Sequence, residues 1–346
     1  MNLPPSLAMG LATMLLITGC ERRGEADALL VDYQQQLAEA LQLPAPEPQS
    51  PENIAAFPDR RRLTFDIPET RESLQNVYGL RQCNITSLVA ERNTQLGRVA
   101  VPSQHWLYEL ELWRRLSGCL DSDIGASLAP THRERLERLS EMKTRQLPFV
   151  SWNALFGSSE WRASFSRASR PLSPGNLPDI EPFLAALDYL REGALRQFDR
   201  DWRPDSATLS DHLQALRREP LTARVLRTLQ LASLRLTEAN RLLETERLGP
   251  LVCPETELFQ AMPVDYLDAI EAYAERWLTS VDTLLEAHPI SLPAMDRYRQ
   301  EWLSLERAQA PWQRFVHARQ EHQRLLAQRR AECTLTTQPA SASNET

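Results

Sequence analysis

Lysine is almost missing from this chain: Lys143 stands alone among 39 lysines and arginines. A base-composition bias of the genome accounts for that more simply than a functional demand for guanidinium groups. Glycine is scarce too, 11 in 346 residues, and no Gly-rich loop of the kind that cradles phosphate is present. With abundant Leu, Ala, Glu, Arg and Gln, scarce glycine gives a helix-forming composition. The formal charge of -7 is spread along the chain with no basic stripe, so nucleic acid is not an expected partner. No repeat near the thirty-four-residue period of helical solenoids is found.

Signatures of catalysis, metal and cofactor are missing as well. The six histidines are scattered. His317 and His322 are five apart, on different helix faces, so paired metal ligands one turn apart do not arise and surface histidines are expected. No Gly-x-Ser-x-Gly elbow exists, and Ser103 and His105 cannot face each other two residues apart on one helix. Carboxylate pairs such as Glu109 and Glu111 are expected by chance among 46 acidic residues. No cofactor and no enzymatic activity are therefore expected.

What is present begins at the amino end. Residues 1–19 carry no charged side chain and are apolar from about Leu7 to Ile17. That run is too short to cross the roughly 30 Å core of a bilayer and fits a secretory signal. It closes on Leu16-Ile17-Thr18-Gly19-Cys20, which resembles the lipobox of bacterial lipoproteins. The resemblance implies cleavage before Cys20, a diacylglyceryl thioether on its sulfur and an acyl chain on the new amino terminus. Several acyl chains at about 0.8 kcal/mol per buried methylene hold a protein firmly on a membrane. Glu21 rather than Asp follows the cysteine, which in such lipoproteins implies the outer membrane.

Cys83, Cys119, Cys253 and Cys333 remain, an even number in an exported, oxidising setting. Four cysteines allow three pairings, and the helix pattern favours two. Periodicity predicts helices over 25–43, 70–82, 84–97, 103–119, 131–146, 177–199, 208–218, 221–247, 264–287 and 293–332, with a capping box at Thr131 and Glu134 and a kink or restart at Pro311. Helices 84–97 and 103–119 match in length as an antiparallel hairpin, which brings Cys83 to Cys119. Cys253 and Cys333 flank a second outgoing and returning pair. Each bond would contribute about 4 kcal/mol in the chain-entropy model. The first hairpin's register also sets Arg92, on an apolar stripe, near Glu109. A structural ion pair between the two is expected.

The expected fold is thus all-α, a multi-helix bundle of antiparallel hairpins. An anchored helix and Pro-rich linker over 20–51 precede a helical domain over 52–333, with a candidate sub-boundary near 201–206 and a disordered tail over 334–346. The Pro44–Pro51 run is either a linker or a wrapping segment. Alternating Arg62–Ile67 resembles a strand but, without partners, is read as loop. Trp106, Trp113, Trp277, Trp302 and Trp312 fall at core-facing spacings.

The block Cys83-Asn84-Ile85-Thr86-Ser87-Leu88-Val89-Ala90-Glu91-Arg92-Asn93, then Leu96-Gly97-Arg98-Val99, Pro102-Ser103 and Tyr108-Glu109, resembles the signature of a gammaproteobacterial lipoprotein family known as domain of unknown function 3080. The resemblance extends from Cys20 to about Cys333 and implies no activity and no catalytic residue. The expected function is that of a non-catalytic, membrane-tethered scaffold or binding protein for another envelope protein or an apolar ligand. The alternative is an envelope enzyme acting on peptidoglycan or lipid. A pocket with converging carboxylates of shifted pKa would favour the enzyme, and an apolar groove the binder.

Overall fold

The computed structural model describes residues 24–245 and 262–337. In chain order its helices are α1 Glu25–Leu41, α2 Leu74–Gly79, α3 Thr86–Arg92, α4 Gln95–Arg98, α5 Pro102–Leu120, α6 Asp123–Ser127, α7 Pro130–Leu155, α8 Ser159–Ala163, α9 Glu181–Arg196, α10 Ser206–Arg218, α11 Leu221–Glu244, α12 Val264–Ala287, α13 Pro293–Tyr298 and α14 Pro311–Thr337. Among the described residues there is no strand, and the fold is an all-α bundle. No described helix is long and apolar enough to cross a membrane.

Helix α1 is part of the body rather than a free tether. Leu30, Tyr33, Leu37 and Leu41, one face at helical spacing, are buried in the main core, and Gln34 donates to the Arg235 carbonyl and to Glu238 on α11. The proline-rich run that follows wraps the bundle, with the Gln49 N–H donating to Glu238 at 3.0 Å and Ile54 buried. Helix and run thus share one core with the expected domain that starts at 52.

Arg62–Ile67 is not paired in a sheet, and its backbone is satisfied by α7. Asn153 accepts from the Phe65 N–H at 2.8 Å and donates to the Phe65 carbonyl at 2.9 Å, while the Trp152 indole donates to the Leu63 carbonyl. One amide side chain here does the work of a ladder partner.

Helix α7 overturns two expectations. Its start has no capping box: Pro130 takes the first helical position after Ala129, and no side chain caps it, because proline's fixed φ is preorganised there. Nor does α7 end before Pro148; it runs through that proline to Leu155. Val150, Trp152, Ala154 and Leu155 beyond it are buried, and their burial at roughly 1.5–3 kcal/mol per large side chain outweighs the roughly 3 kcal/mol that an internal proline costs.

Elsewhere the breaks fall at polar punctuation. Helix α9 packs on both α10 and α12, and Trp202 in the α9–α10 connection is buried beside Trp106, so 201–206 is an inter-helix loop. A π-helical turn at Arg299–Leu303 and the restart at Pro311 divide the long C-terminal span. Helix α14 continues through Thr337, into the tail expected to be disordered. It runs along α11 in the same direction: Asn240 meets Ala318 and His322, and Leu243 meets Arg329.

Helices α5 and α7, joined through α6, are antiparallel. Most of the chain shares one apolar core, in which Trp106, Trp113, Trp277 and Trp312 are buried as expected and against which Trp302 packs half-buried. A second, smaller cluster holds Leu80, Ile85, Leu112, Leu116, Leu136 and Leu139 with Cys83 and Cys119. Those cysteines form the expected disulfide, with Cα atoms 5.3 Å apart and a sequence separation of 36. Because this cluster is small, the bond matters to it. The double replacement of Cys83 and Cys119 by Ala is expected to cost about 2–4 kcal/mol, read as a lowered denaturation midpoint in the absence of reductant. Cys20 and Cys253, and with the latter the second expected pairing, lie outside the described residues.

Candidate functional site, a cleft beside the stapled cluster

The small cluster forms the wall of a cleft of about 720 Å³, a size usual for small-molecule sites. Leu80, Ile85, Val89, Leu112, Leu116 and Leu139 supply its apolar side. Arg92, Asn93, His105, Tyr108, Glu109 and Lys143 supply its polar side, and Glu69, Arg71 and Glu72 also line it. The segment from Ile67 to Asn93 thus closes over α5 and α7.

At the polar side the expected Arg92–Glu109 pair is replaced by another arrangement. Glu109 turns inward to the single lysine: Lys143 Nζ lies 2.8 Å from Glu109 Oε2, and both side chains are nine-tenths buried or close to it. The other oxygen, Oε1, lies 3.3 Å from His105 Nε2, one turn back on α5. Burial alone would raise the Glu109 pKa, but the His105 hydrogen bond and the Lys143 ammonium outweigh it and hold the carboxyl below its usual range.

Arg92 takes a different partner because its helix breaks. The expected helix over 84–97 splits into α3 and α4 at Asn93-Thr94, where the Thr94 hydroxyl accepts from the Gly97 N–H and restarts the chain. The turn brings the Gly97 carbonyl back onto the Arg92 guanidinium, which donates to it, and Arg92 also lies over the Tyr108 ring at 5.8 Å. A side chain at 97 has no room, since a Cβ there would fall 2.6 Å from the Arg92 and Glu91 carbonyl oxygens. At the start of the segment Asn84 adopts a left-handed φ of 56°, which asparagine tolerates, and its carbonyl accepts from Arg115 on α5.

These features sit on the block Cys83–Glu109, whose sequence resemblance is matched over the chain at large. The family model described as Protein of unknown function (DUF3080) matches residues 30–337. The chain belongs to that family. No curated protein and no solved structure matches it. In this DUF3080 chain the block's Ile85, Val89, Arg92, Tyr108 and Glu109 line the cleft, while Asn84 and Gly97 shape the backbone that carries them.

Two histidines expected at the surface are buried. His322 on α14 accepts from the Tyr33 hydroxyl and bonds Asn240 Oδ1 at 2.6 Å, while Asn240 donates to the Ala318 carbonyl. His288 lies 3.0 Å from the buried Ser151 hydroxyl and 3.1 Å from the Ile290 carbonyl. Desolvation lowers both imidazoles to about 4, and for His288 the Ile290 carbonyl only partly opposes it. Neither lines the cleft, and helical periodicity alone did not reveal them because the elements that surround them come from α1, α7 and α11. A shallower hollow of about 450 Å³ lies between α12 and α14, where Arg319 is paired with Asp268 and Glu271. Among the described residues no group of His, Cys, Asp and Glu is arranged to hold a metal ion.

Proposed function

We propose that this chain is a bacterial envelope lipoprotein, tethered through lipid on Cys20 to the periplasmic face of a membrane, the outer one by the Glu21 criterion, and that its helical body is a non-catalytic binding protein whose ligand site is the cleft. The observation that carries the reading is the cleft itself: an apolar wall facing a buried, charge-bearing side, in a volume fit for one small molecule. Only one carboxylate, Glu109, lies deep in it, and its lowered pKa makes it a weaker base than an ordinary glutamate and no acid at neutral pH. A carboxylate held in that way does not serve as the proton donor that an enzyme acting on peptidoglycan or lipid needs, which favours the binding reading.

Membrane fractionation with intact mass measurement tests the tether. The wild type is expected in the membrane fraction, starting at Cys20 and carrying diacylglyceryl and acyl mass, and Cys20→Ala is expected to leave that fraction. In-cell crosslinking of the two forms reports whether a protein partner is captured as well. An unmodified wild type in the soluble fraction would contradict the lipoprotein reading.

A further inference from the structure

Three acids and three cations line the cleft, but they are not all paired with one another. Glu69 is paired with Arg71 at 3.3 Å, Glu72 lies 3.5 Å from Arg138, and Glu109 is held by Lys143 and His105. Each lining acid therefore already has a cation. Arg92 does not have an acid: among the described residues its partners are a neutral carbonyl and the face of a tyrosine ring. A guanidinium carries five N–H donors in a planar fork that matches carboxylate and phosphate oxygens. With one donor on Gly97, most of that fork is available to the cleft. Lys143 adds donors beyond the one facing Glu109, since an ammonium has three. Beside this cationic side stands the apolar wall of Leu80, Ile85, Val89 and Leu112, against which a charged ligand alone would gain nothing.

Resting on the cleft being a ligand site, we infer that its ligand is an anionic amphiphile: a small molecule with one carboxylate or phosphate group, seated on Arg92 with Lys143 nearby, and an apolar portion against the stapled cluster. Tyr108 holds the Arg92 guanidinium over its ring and keeps a neutral hydroxyl beside the anion, so it positions the recognition group. Gly97 does the same from the other side through its carbonyl.

Titration calorimetry on the full chain in lipid nanodiscs, with empty nanodiscs subtracted, tests this with octanoate, octyl phosphate, octyl glucoside, octyltrimethylammonium and inorganic phosphate. Octanoate or octyl phosphate is expected to bind, and the tighter of the two names the head group. Arg92→Gln is expected to weaken that binding about tenfold or more, and Arg92→Lys to retain more of it than Arg92→Gln. Circular dichroism of each variant establishes that the fold is kept. Binding of octyl glucoside or octyltrimethylammonium as tight as the anions, or binding unchanged in Arg92→Gln, would overturn the anionic assignment and leave the cleft as a site of other chemistry. Inorganic phosphate binding as tightly as octyl phosphate would overturn the amphiphile. No binding by any of the five would overturn both this inference and the reading of the cleft on which it rests.

Discussion

Lys143→Met is expected to lower the stability of the chain by about 3–5 kcal/mol, because it leaves the Glu109 carboxylate buried with only His105 to offset its charge. The residues Lys143 and Glu109 are 6% and 8% exposed, so solvent does little to replace the lost partner. The double variant Lys143→Met, Glu109→Leu removes both charges and is expected to recover most of the loss, since a buried ion pair and a well-packed apolar pair are often of similar stability. A double-mutant cycle by chemical denaturation measures the coupling. Coupling near zero would mean that the pair is not formed or is fully hydrated. Arg at 143 is not an equivalent replacement. The ammonium is a compact point charge on a flexible stem, whereas the larger planar guanidinium must find room between α5 and α7.

The second large effect is a loss of stability in mild acid. In the fold, His288 and His322 titrate at about 4 instead of 6.5. Between those values the unfolded chain binds protons that the folded chain does not. Stability therefore falls as pH drops from about 6.5 to about 4, and these two groups add no further slope below that. Above 6.5 both are neutral in either state and their contribution is complete. Shifts of this size correspond to about 3 kcal/mol per histidine. Denaturation curves at pH 7 and pH 4.5 check it. The steepening is expected to shrink in the double variant His288→Gln, His322→Gln, which is itself less stable at pH 7 for want of the Tyr33 and Ser151 bonds. An unchanged pH slope in that variant would show that other groups drive acid unfolding.

How far the fold was legible can be followed in single elements. Periodicity predicts helix α12 over 264–287 and it stands at Val264–Ala287, because a clean 3.6-residue apolar period is bounded there by proline on one side and His288-Pro289 on the other. The Cys83–Cys119 bond followed from matched helix lengths around a short loop, and it survives the splitting of the first helix because only the ends had to meet. Periodicity ends this helix at 146, short of Leu155, because a local pattern carries no information on how much core the following turns bury. The apolar stripe marks Arg92 as a charge that needs a partner, and Glu109 enters only as that partner. Their partners were wrong because the rule assumed an unbroken helix and because Lys143 lies on α7, which the hairpin argument did not include. The one lysine is visible in the composition, but nothing in its neighbourhood of Glu141, Met142 and Thr144 marks it as buried. The histidines failed for the same reason: burial of a polar side chain is decided by what distant elements cover it.

The central claim is that the cleft beside Cys83–Cys119 is a ligand site in a membrane-tethered protein. Native mass spectrometry of the full-length product, released gently from its own membrane, tests that most directly. The wild type is expected to carry a non-covalent adduct of small-molecule mass that Val89→Trp, which fills the cleft from its apolar side, lacks while staying folded. An adduct retained in full by Val89→Trp, or no adduct on either protein when one is sought from native membranes, would contradict the account.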